Sequence, residues 1–234
     1  MFNETGELYD RFYAWKNYDA EAARLRELIV AAGGPGGGTL LDVACGTGKH
    51  AQALAAHYTV EGMDLDPVLL GVARRRLPEV TLHHGDMRGF DLGRTYDVVT
   101  CLFSSIGYVR TPDGLHAAVA AMARHLAAGG ALAVEPWFAP GEYRPNHVHL
   151  LTVDEPELKL VRMSHGTVEG NLSILDFEYL VGRPGGITRA HERHEMGLFT
   201  RDQTLAAFAA AGLRATFDAE GLMGRGLYIG LKTG

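Results

Sequence analysis

Leu40-Leu41-Asp42-Val43-Ala44-Cys45-Gly46-Thr47-Gly48-Lys49-His50 is the stretch that decides the fold. Its first five residues, apolar apart from Asp42, read as a buried strand. Gly46 and Gly48 then permit a tight turn and leave no side chain to obstruct a ligand. Residues 49–56 have helical composition. Strand, glycine turn and helix N-terminus in that order form a cradle whose free N–H groups and bare backbone face a ligand. Asp42 stands inside the strand, and Asp64 ends the next apolar run, 22 residues further on. A carboxylate at that place can accept hydrogen bonds from both hydroxyls of an adenosine ribose. A third acid follows in Gly85-Asp86-Met87.

The turn also satisfies G-x-G-x-x-A, through Gly46 to Ala51, so a dinucleotide is a competing ligand. Many dinucleotide domains open on this turn, whereas here an apparent helix precedes it. Asp42 offers an acid where a methionine-type amino group could be held directly or through water. An NAD-dependent oxidoreductase would need a nicotinamide partner and hydride-acceptor machinery, and the sequence offers neither. A non-catalytic nucleotide-binding or interaction domain is a third reading, disfavoured by the joint presence of Asp42, Gly46, Gly48 and Asp64.

Outward from the turn, strands are expected near 39–44, 58–64, 80–84, 96–101 and 130–135. Helices are expected near 49–56, 67–76 and 113–127, with Pro67 and Pro112 at early helical positions and Asp66 as a cap. Gly129-Gly130 would end the alanine-rich helix. Strands alternating with helices imply right-handed crossovers and a parallel sheet. Upstream, Asp19 would cap a helix over 20–32, and the glycine-rich stretch 33–38 would set residues 1–38 apart as an N-terminal arm or lid.

The pattern changes after Trp137. Strands are expected at 158–165, 171–181 and 188–197 with no helices between them. Leu175, Phe177, Tyr179 and Val181 keep a period of two, and Glu169-Gly170-Asn171 and Pro184-Gly185-Gly186 supply hairpin turns. Residues 140–199 therefore read as an antiparallel β insertion of about three strands. A helix over 201–211 and strands near 214–219 and 226–232 return to the main sheet as an antiparallel C-terminal hairpin. The expected fold is a single α/β domain with a Rossmann-like sheet. Ligands bind such sheets at the carboxyl ends of their strands, where the insertion could supply an acceptor pocket.

Hydrophobic residues make up 47% of the chain, which is ordinary for a globular domain. The net charge of −6, with no basic run, argues against nucleic acid as a partner. No apolar stretch approaches the roughly 20 residues that span a bilayer. The polar, acidic first ten residues do not look like a signal peptide. Cys45 and Cys101 lack metal-ligand spacing and are expected to be reduced thiols in the cytoplasm. Eleven histidines raise the question of a metal. Of His83-His84, His147-x-His149 and His191-x-x-His194, only the middle pair shares a strand face. No carboxylate or cysteine stands near it in sequence, so no metal is expected.

With these residues in place, the chain resembles the class I S-adenosylmethionine-dependent methyltransferases. Within them it is most similar to the N,N-dimethyltransferases that act on nucleotide-linked amino sugars in antibiotic biosynthesis, the desosamine and mycaminose type. The resembling segments are Tyr9-Asp10-Arg11-Phe12-Tyr13, Leu41 to Gly48, Gly85-Asp86-Met87-Arg88, Phe103-Ser104-Ser105-Ile106-Gly107-Tyr108 and Val134-Glu135-Pro136-Trp137. Leu198-Phe199-Thr200, Ala211-Gly212-Leu213 and Gly224-Arg225-Gly226-Leu227-Tyr228 complete the set. The Phe-Ser-Ser-Ile-Gly and Gly-Arg-Gly-Leu segments are the most specific.

The resemblance implies S-adenosylmethionine as cofactor, a small-molecule acceptor, and direct in-line transfer of a methyl group to an amine. It implies cofactor contacts from Tyr18, Asp42, Ala44, Gly46, Gly48, Asp64, Leu65, Asp86, Met87 and Phe103. It places Tyr13 and Tyr108 in the active site and Arg225 on the substrate. His165, Arg193 and Arg201 are weaker candidates for that last task. Trp137, just past the fifth strand, could stack on a nucleotide base or simply pack. With Asp66 as the helix cap, Asp64 would be left free for the ribose. Tyr108 departs from the pattern, since some relatives carry histidine after Phe-Ser-Ser-Ile-Gly. A phenol of pKa about 10 is a poor base at neutral pH, so Tyr108 reads as an orienting group. A different small acceptor, methylated on nitrogen or oxygen, is the alternative. An exposed edge of the insertion would also allow two copies to pair.

Overall fold

The computed structural model describes Gly6 and residues 8–233; the remainder of the expected arm lies outside the described residues. The chain order is α1 (Tyr9–Phe12), α2 (Tyr18–Ala31), β1 (Thr39–Val43), α3 (Lys49–Leu54), β2 (Thr59–Asp64), α4 (Pro67–Arg76), β3 (Leu82–His84) and β4 (Tyr96–Cys101). A 3₁₀ turn (Ser105–Val109), α5 (Pro112–Arg124), β5 (Leu126–Val134), β6 (Val148–Glu155), β7 (Leu158–Glu169), β8 (Leu172–Arg183) and β9 (Gly186–Gly197) follow. The chain returns through α6 (Arg201–Ala210), β10 (Leu213–Asp218) and β11 (Leu227–Lys232).

The main sheet has the order β10-β11-β5-β4-β1-β2-β3. The first five strands in sequence pair parallel, and β11 runs antiparallel to both β5 and β10. This is the α/β sheet with an antiparallel C-terminal hairpin that the sequence leads one to expect. Leu41, Val43, Val99, Leu132 and Val134 are buried against α5 and α6 on one side. Leu40, Val98, Ala131 and Ala133 are buried against α2 and α3 on the other. Burial on both sides explains why these strands read as apolar runs rather than as alternation.

The second sheet, β6-β7-β8-β9, is antiparallel throughout. It holds four strands where three were expected. The added one, β6, is an edge strand whose residues are mostly exposed, so its sequence lacks a clear buried face. A small core of Leu8, Phe12, Leu158, Leu160, Tyr179 and Val181 joins the sheet to α1.

Two local expectations are corrected and one holds. The cap of α2 is Asn17, whose side chain accepts from the amide of Ala20 at 3.0 Å, and Asp19 lies inside the helix. Helix α5 ends at Arg124, and Gly129-Gly130 fall within β5; pairing with β4 extends that strand back to Leu126. Asp66 does cap α4, accepting from the amides of Val68 and Leu69. Among the described residues no helix is long and apolar enough to cross a membrane.

Candidate active site

A cavity of about 1580 Å³ opens across the carboxyl ends of β1, β2 and β4 and continues along the inner face of the four-stranded sheet. Its two halves draw on different parts of the chain.

In the first half, β1 carries Asp42 to the wall, 2% exposed. One carboxylate oxygen accepts from Oγ1 of Thr100 at 2.9 Å. The other, Oδ2, is buried without a hydrogen-bond partner among the described residues. Burial pushes the pKa of Asp42 up to about 6, against the pull of His50 and Thr100. A buried acceptor left unmatched is costly, so this oxygen suits a ligand that brings a positively charged donor.

The turn beyond it is left-handed at Ala44 (φ 59°), Gly46 (φ 57°) and Gly48 (φ 79°). The Gly46 amide donates to Oδ2 of Asp64 at 2.7 Å, and the Asp66 amide donates to Oδ1 at 2.8 Å. Asp64 is therefore not left free, as the sequence suggested. Its oxygens already hold the amides of Gly46 and Asp66, with that of Leu65 beside them, and a carboxylate's four acceptor sites leave room for a further donor. Burial raises the pKa of Asp64, and these amides oppose the rise. Gly48 is not on the cavity wall. A Cβ there would stand 2.9 Å from Cδ1 of Leu77, so this glycine lets α3 start close against the end of α4. Leu65, Asp86 and Met87 line the far end. Asp86 is bound by Arg88, Nε to Oδ1 at 3.0 Å, and this bond holds its carboxyl below the usual range.

The arm closes over this half. Thr47 Oγ1 donates to Asp10 Oδ1 at 2.6 Å, and Arg76 binds both Asp10 and the carbonyl of Thr47. Tyr18 sits edge-on to His50 at 4.8 Å. Beneath it is a buried cluster that the sequence did not disclose. Lys16 pairs with Glu21, His50 Nε2 lies 2.9 Å from Glu21 Oε2, and the ammonium stands 4.6 Å over the ring of Phe103. Burial would raise the pKa of Glu21, but His50 and Lys16 outweigh it and lower it.

In the second half, the residues after β4 adopt left-handed backbone at Phe103 (φ 52°) and Ser104 (φ 62°). Such strain persists only where surroundings enforce it. Here the Phe103 amide donates to Glu135 Oε2 at 2.6 Å, and the Ser104 hydroxyl donates to the carbonyl of Pro136 at 2.6 Å. Arg225 donates to Ser104 Oγ at 3.0 Å and lies over Trp137 and Phe138, 4.9 and 5.3 Å from their ring centres. Tyr13 packs edge-on against Phe103 at 5.0 Å and accepts from Arg162 at 3.2 Å. Tyr108 lies 2.7 Å from Nδ1 of His194. His194 Nε2 is 3.3 Å from Glu192 Oε2, which also accepts from Tyr179 at 2.9 Å. Burial pushes the Tyr108 phenol far above its ordinary pKa, so it stays protonated.

The cavity thus gathers every expected site residue except Gly48 and His165. His165 is exposed on β7, while its neighbours Ser164 and Gly166 line the cavity; strand alternation turns it to the opposite face. Of the weaker candidates, Arg193 lines the cavity, and Arg201 stacks on Phe217 instead. Arg162, Glu192 and His194 were missed. Among the described residues no three His, Cys, Asp or Glu side chains are placed to hold a metal.

Residues 40–130 match the family described as Methyltransferase domain. Over 232 residues the chain is 45% identical to the dTDP-3-amino-3,6-dideoxy-alpha-D-glucopyranose N,N-dimethyltransferase of Streptomyces fradiae, covering 97% of this chain and 91% of that one. The crystal structure of Streptomyces venezuelae DesVI superposes with a TM-score of 0.92 at 39% identity, covering 99% of each chain. SAM-bound CalS10, an amino pentose methyltransferase from Micromonospora echinaspora involved in calicheamicin biosynthesis, gives 0.87 at 40% identity, covering 100% of this chain and 98% of that one.

Proposed function

This chain belongs to the S-adenosylmethionine-dependent N,N-dimethyltransferases of nucleotide-linked amino sugars, and from that premise we propose that it methylates the amine of a dTDP-linked amino sugar. One observation carries the reading. A single cavity joins the unmatched oxygen of Asp42 to an aromatic, cation-studded wall on the insertion. Its volume of about 1580 Å³ exceeds the roughly 300–1,000 Å³ of a one-ligand pocket and suits a cofactor and an acceptor side by side.

Asp42, Ala44, Gly46, Asp64, Leu65, Asp86, Met87, Phe103 and Tyr18 would hold the cofactor, with Asp42 Oδ2 matching the methionine ammonium and Asp64 the ribose. When bound, S-adenosylmethionine supplies a methyl group on a sulfonium, and the amine lone pair forms the new C–N bond as the C–S bond breaks. The protein's task is to present an unprotonated amine within about 3–3.5 Å of that carbon, in line with the leaving sulfur. Tyr13, Tyr108 and Phe177 supply electron-rich surfaces beside a centre that gains positive charge. Arg225, whose guanidinium lies over Trp137 and Phe138, suits the diphosphate or a sugar oxygen.

The chain acts as one methyltransferase domain, with residues 1–38 as its arm and 140–199 as its insertion. The outer face of the insertion exposes Val148, Leu150, Met163, Leu180 and Ile187, an apolar surface that supports pairing as a homodimer. Cys45 and Cys101 are both free and buried, in keeping with work in the cytoplasm. The test is mass spectrometry of the protein with S-adenosylmethionine and a panel of dTDP-amino sugars. A product heavier by one or two methyl groups, with S-adenosylhomocysteine formed in step, supports the reading. Cofactor binding without product on any sugar sinks it.

A further inference from the structure

We infer that Tyr108, His194 and Glu192 form a proton outlet for the acceptor amine, in which the Tyr108 hydroxyl passes the proton to Nδ1 of His194. The inference rests on the amino-sugar reading above. It arises from a chemical need that the cofactor half does not meet. An amine carries a proton at neutral pH, and its lone pair attacks only after that proton has left. After a first transfer the nitrogen is again a protonated ammonium, and a second transfer requires a second loss.

The wall beside Tyr13 and Phe103 offers few acceptors. Arg162, Arg193 and Arg225 line it as fixed cations and take no proton. Glu195 is engaged by Arg110 and Arg193, and Glu142 accepts from the amide of Ala139. The Tyr13 hydroxyl receives a hydrogen bond from Arg162. The Tyr108 hydroxyl, by contrast, meets a titratable nitrogen at 2.7 Å. That nitrogen belongs to a histidine only 3% exposed, whose other ring nitrogen faces a carboxylate 7% exposed. An acid against Nε2 keeps the hydrogen there and leaves Nδ1 to accept from the Tyr108 hydroxyl. The same logic orients the histidine of a nucleophile–base–acid triad.

The step balances. The ammonium N–H bond breaks as a new Oη–H bond forms on Tyr108. The original Oη–H bond breaks as an N–H bond forms on His194 Nδ1. The phenol is neutral before and after, and the amine is left neutral. The imidazolium is left beside the Glu192 carboxylate and later gives its proton to water. A phenol held far above its usual pKa by burial is unsuited to hold the negative charge itself, but its hydroxyl can hand on a proton in a concerted way. His194 acts through Tyr108, so it is a positioning residue, not one that touches substrate. The groups facing the pair are Glu192 on β9, Tyr179 on β8, Arg162 on β7, Tyr9 and Tyr13 of the arm, and Asp64 at the end of β2. Phe177 closes the remaining side, its ring 5.0 Å from His194.

This arrangement gives a reason for tyrosine at position 108. Histidine is supplied from the insertion, 86 residues away in sequence, and tyrosine spans the gap to the amine.

The test uses the full chain and the variants His194→Asn and Tyr108→Phe, with S-adenosylmethionine and a dTDP-amino sugar, over pH 6–10. Both variants should be slower by about 10²-fold near pH 7, the usual scale of positioned proton transfer. They should recover toward wild type near pH 10, where the amine is already neutral, and should accumulate monomethyl product at neutral pH. The double variant should be no slower than either single one. A deficit independent of pH, or a wild-type profile in both variants, overturns the outlet while leaving the acceptor reading intact. A wild-type protein that methylates no amino sugar overturns both. A second readout needs no turnover. Nitrogen NMR of the ligand-free protein should show His194 protonated at Nε2, with Nδ1 shifted by Tyr108→Phe. A hydrogen on Nδ1 in the neutral form overturns the proposal.

Discussion

The backbone amide of Gly46 donates to Oδ2 of Asp64 across 2.7 Å, tying the end of β2 to the turn that follows β1. The acid that would grip the ribose is thus also a brace for the turn beside it. Asp64→Ala should lose both jobs. Two part-buried amides, those of Gly46 and Asp66, lose their acceptor, at up to about 1 kcal/mol for each donor that water can still reach. Denaturant unfolding should show that loss, and calorimetry should show cofactor affinity weaker by at least tenfold. Asp64→Asn retains one acceptor oxygen and should be the milder change.

Asp42 sets a pH dependence. Its pKa rises from 3.8 to about 6 on folding. The folded state then favours the neutral acid. The associated stability is fully present below pH 3.8, is lost as pH rises toward about 6, and amounts to about 3 kcal/mol at roughly 1.4 kcal/mol per pH unit. Binding has the opposite sign, because a cationic donor prefers the carboxylate. Calorimetry should show S-adenosylmethionine binding tightening between pH 5 and 7.5. Asp42→Asn should flatten that profile, and an unchanged profile would refute the assignment.

Arg225→Lys keeps the charge but gives up the planar guanidinium that lies over Trp137 and Phe138 and is bonded to Ser104. That exchange is not conservative at such a site. Steady-state kinetics should give a KM for the sugar nucleotide raised about tenfold, with kcat changed far less. An equal fall in kcat would point to damage at Ser104 instead.

Gly48→Ala would add a Cβ 2.9 Å from Leu77 at a residue with φ 79°. Left-handed backbone alone costs an alanine about 1–2 kcal/mol. Thermal unfolding should show a clear drop, while the cofactor affinity of the folded fraction should hold, because Gly48 is not on the cavity wall.

Much of the first half of the cavity was legible because its signals are local. Asp42, Gly46 and Asp64 lie on one strand–turn–helix–strand unit, where spacing fixes place. The second half depends on register and on contacts far apart in sequence. His194 was weighed only beside His191, three residues away. The structure turns His191 toward Asp176 and His194 toward Tyr108, and nothing near His194 in sequence announces that pairing. Glu192 and Arg162 were invisible for the same reason. His165 was misplaced because an alternating strand shows which residues share a face but not which face looks inward. The buried Lys16–Glu21–His50 cluster escaped because a lysine before a helix ordinarily reads as solvated.

Helix α1 spans only four residues, yet Asp10 fastens it to Thr47 and Arg76, while Arg11 reaches Glu155 and Phe12 packs on Tyr179. On the proposed reading, cofactor and sugar would share one door. Exchanging spent cofactor for fresh between two methylations would mean loosening the helix that also covers the sugar. Processive work or release of the intermediate would then be a race. The insertion would have to hold the sugar nucleotide for as long as the door stood open.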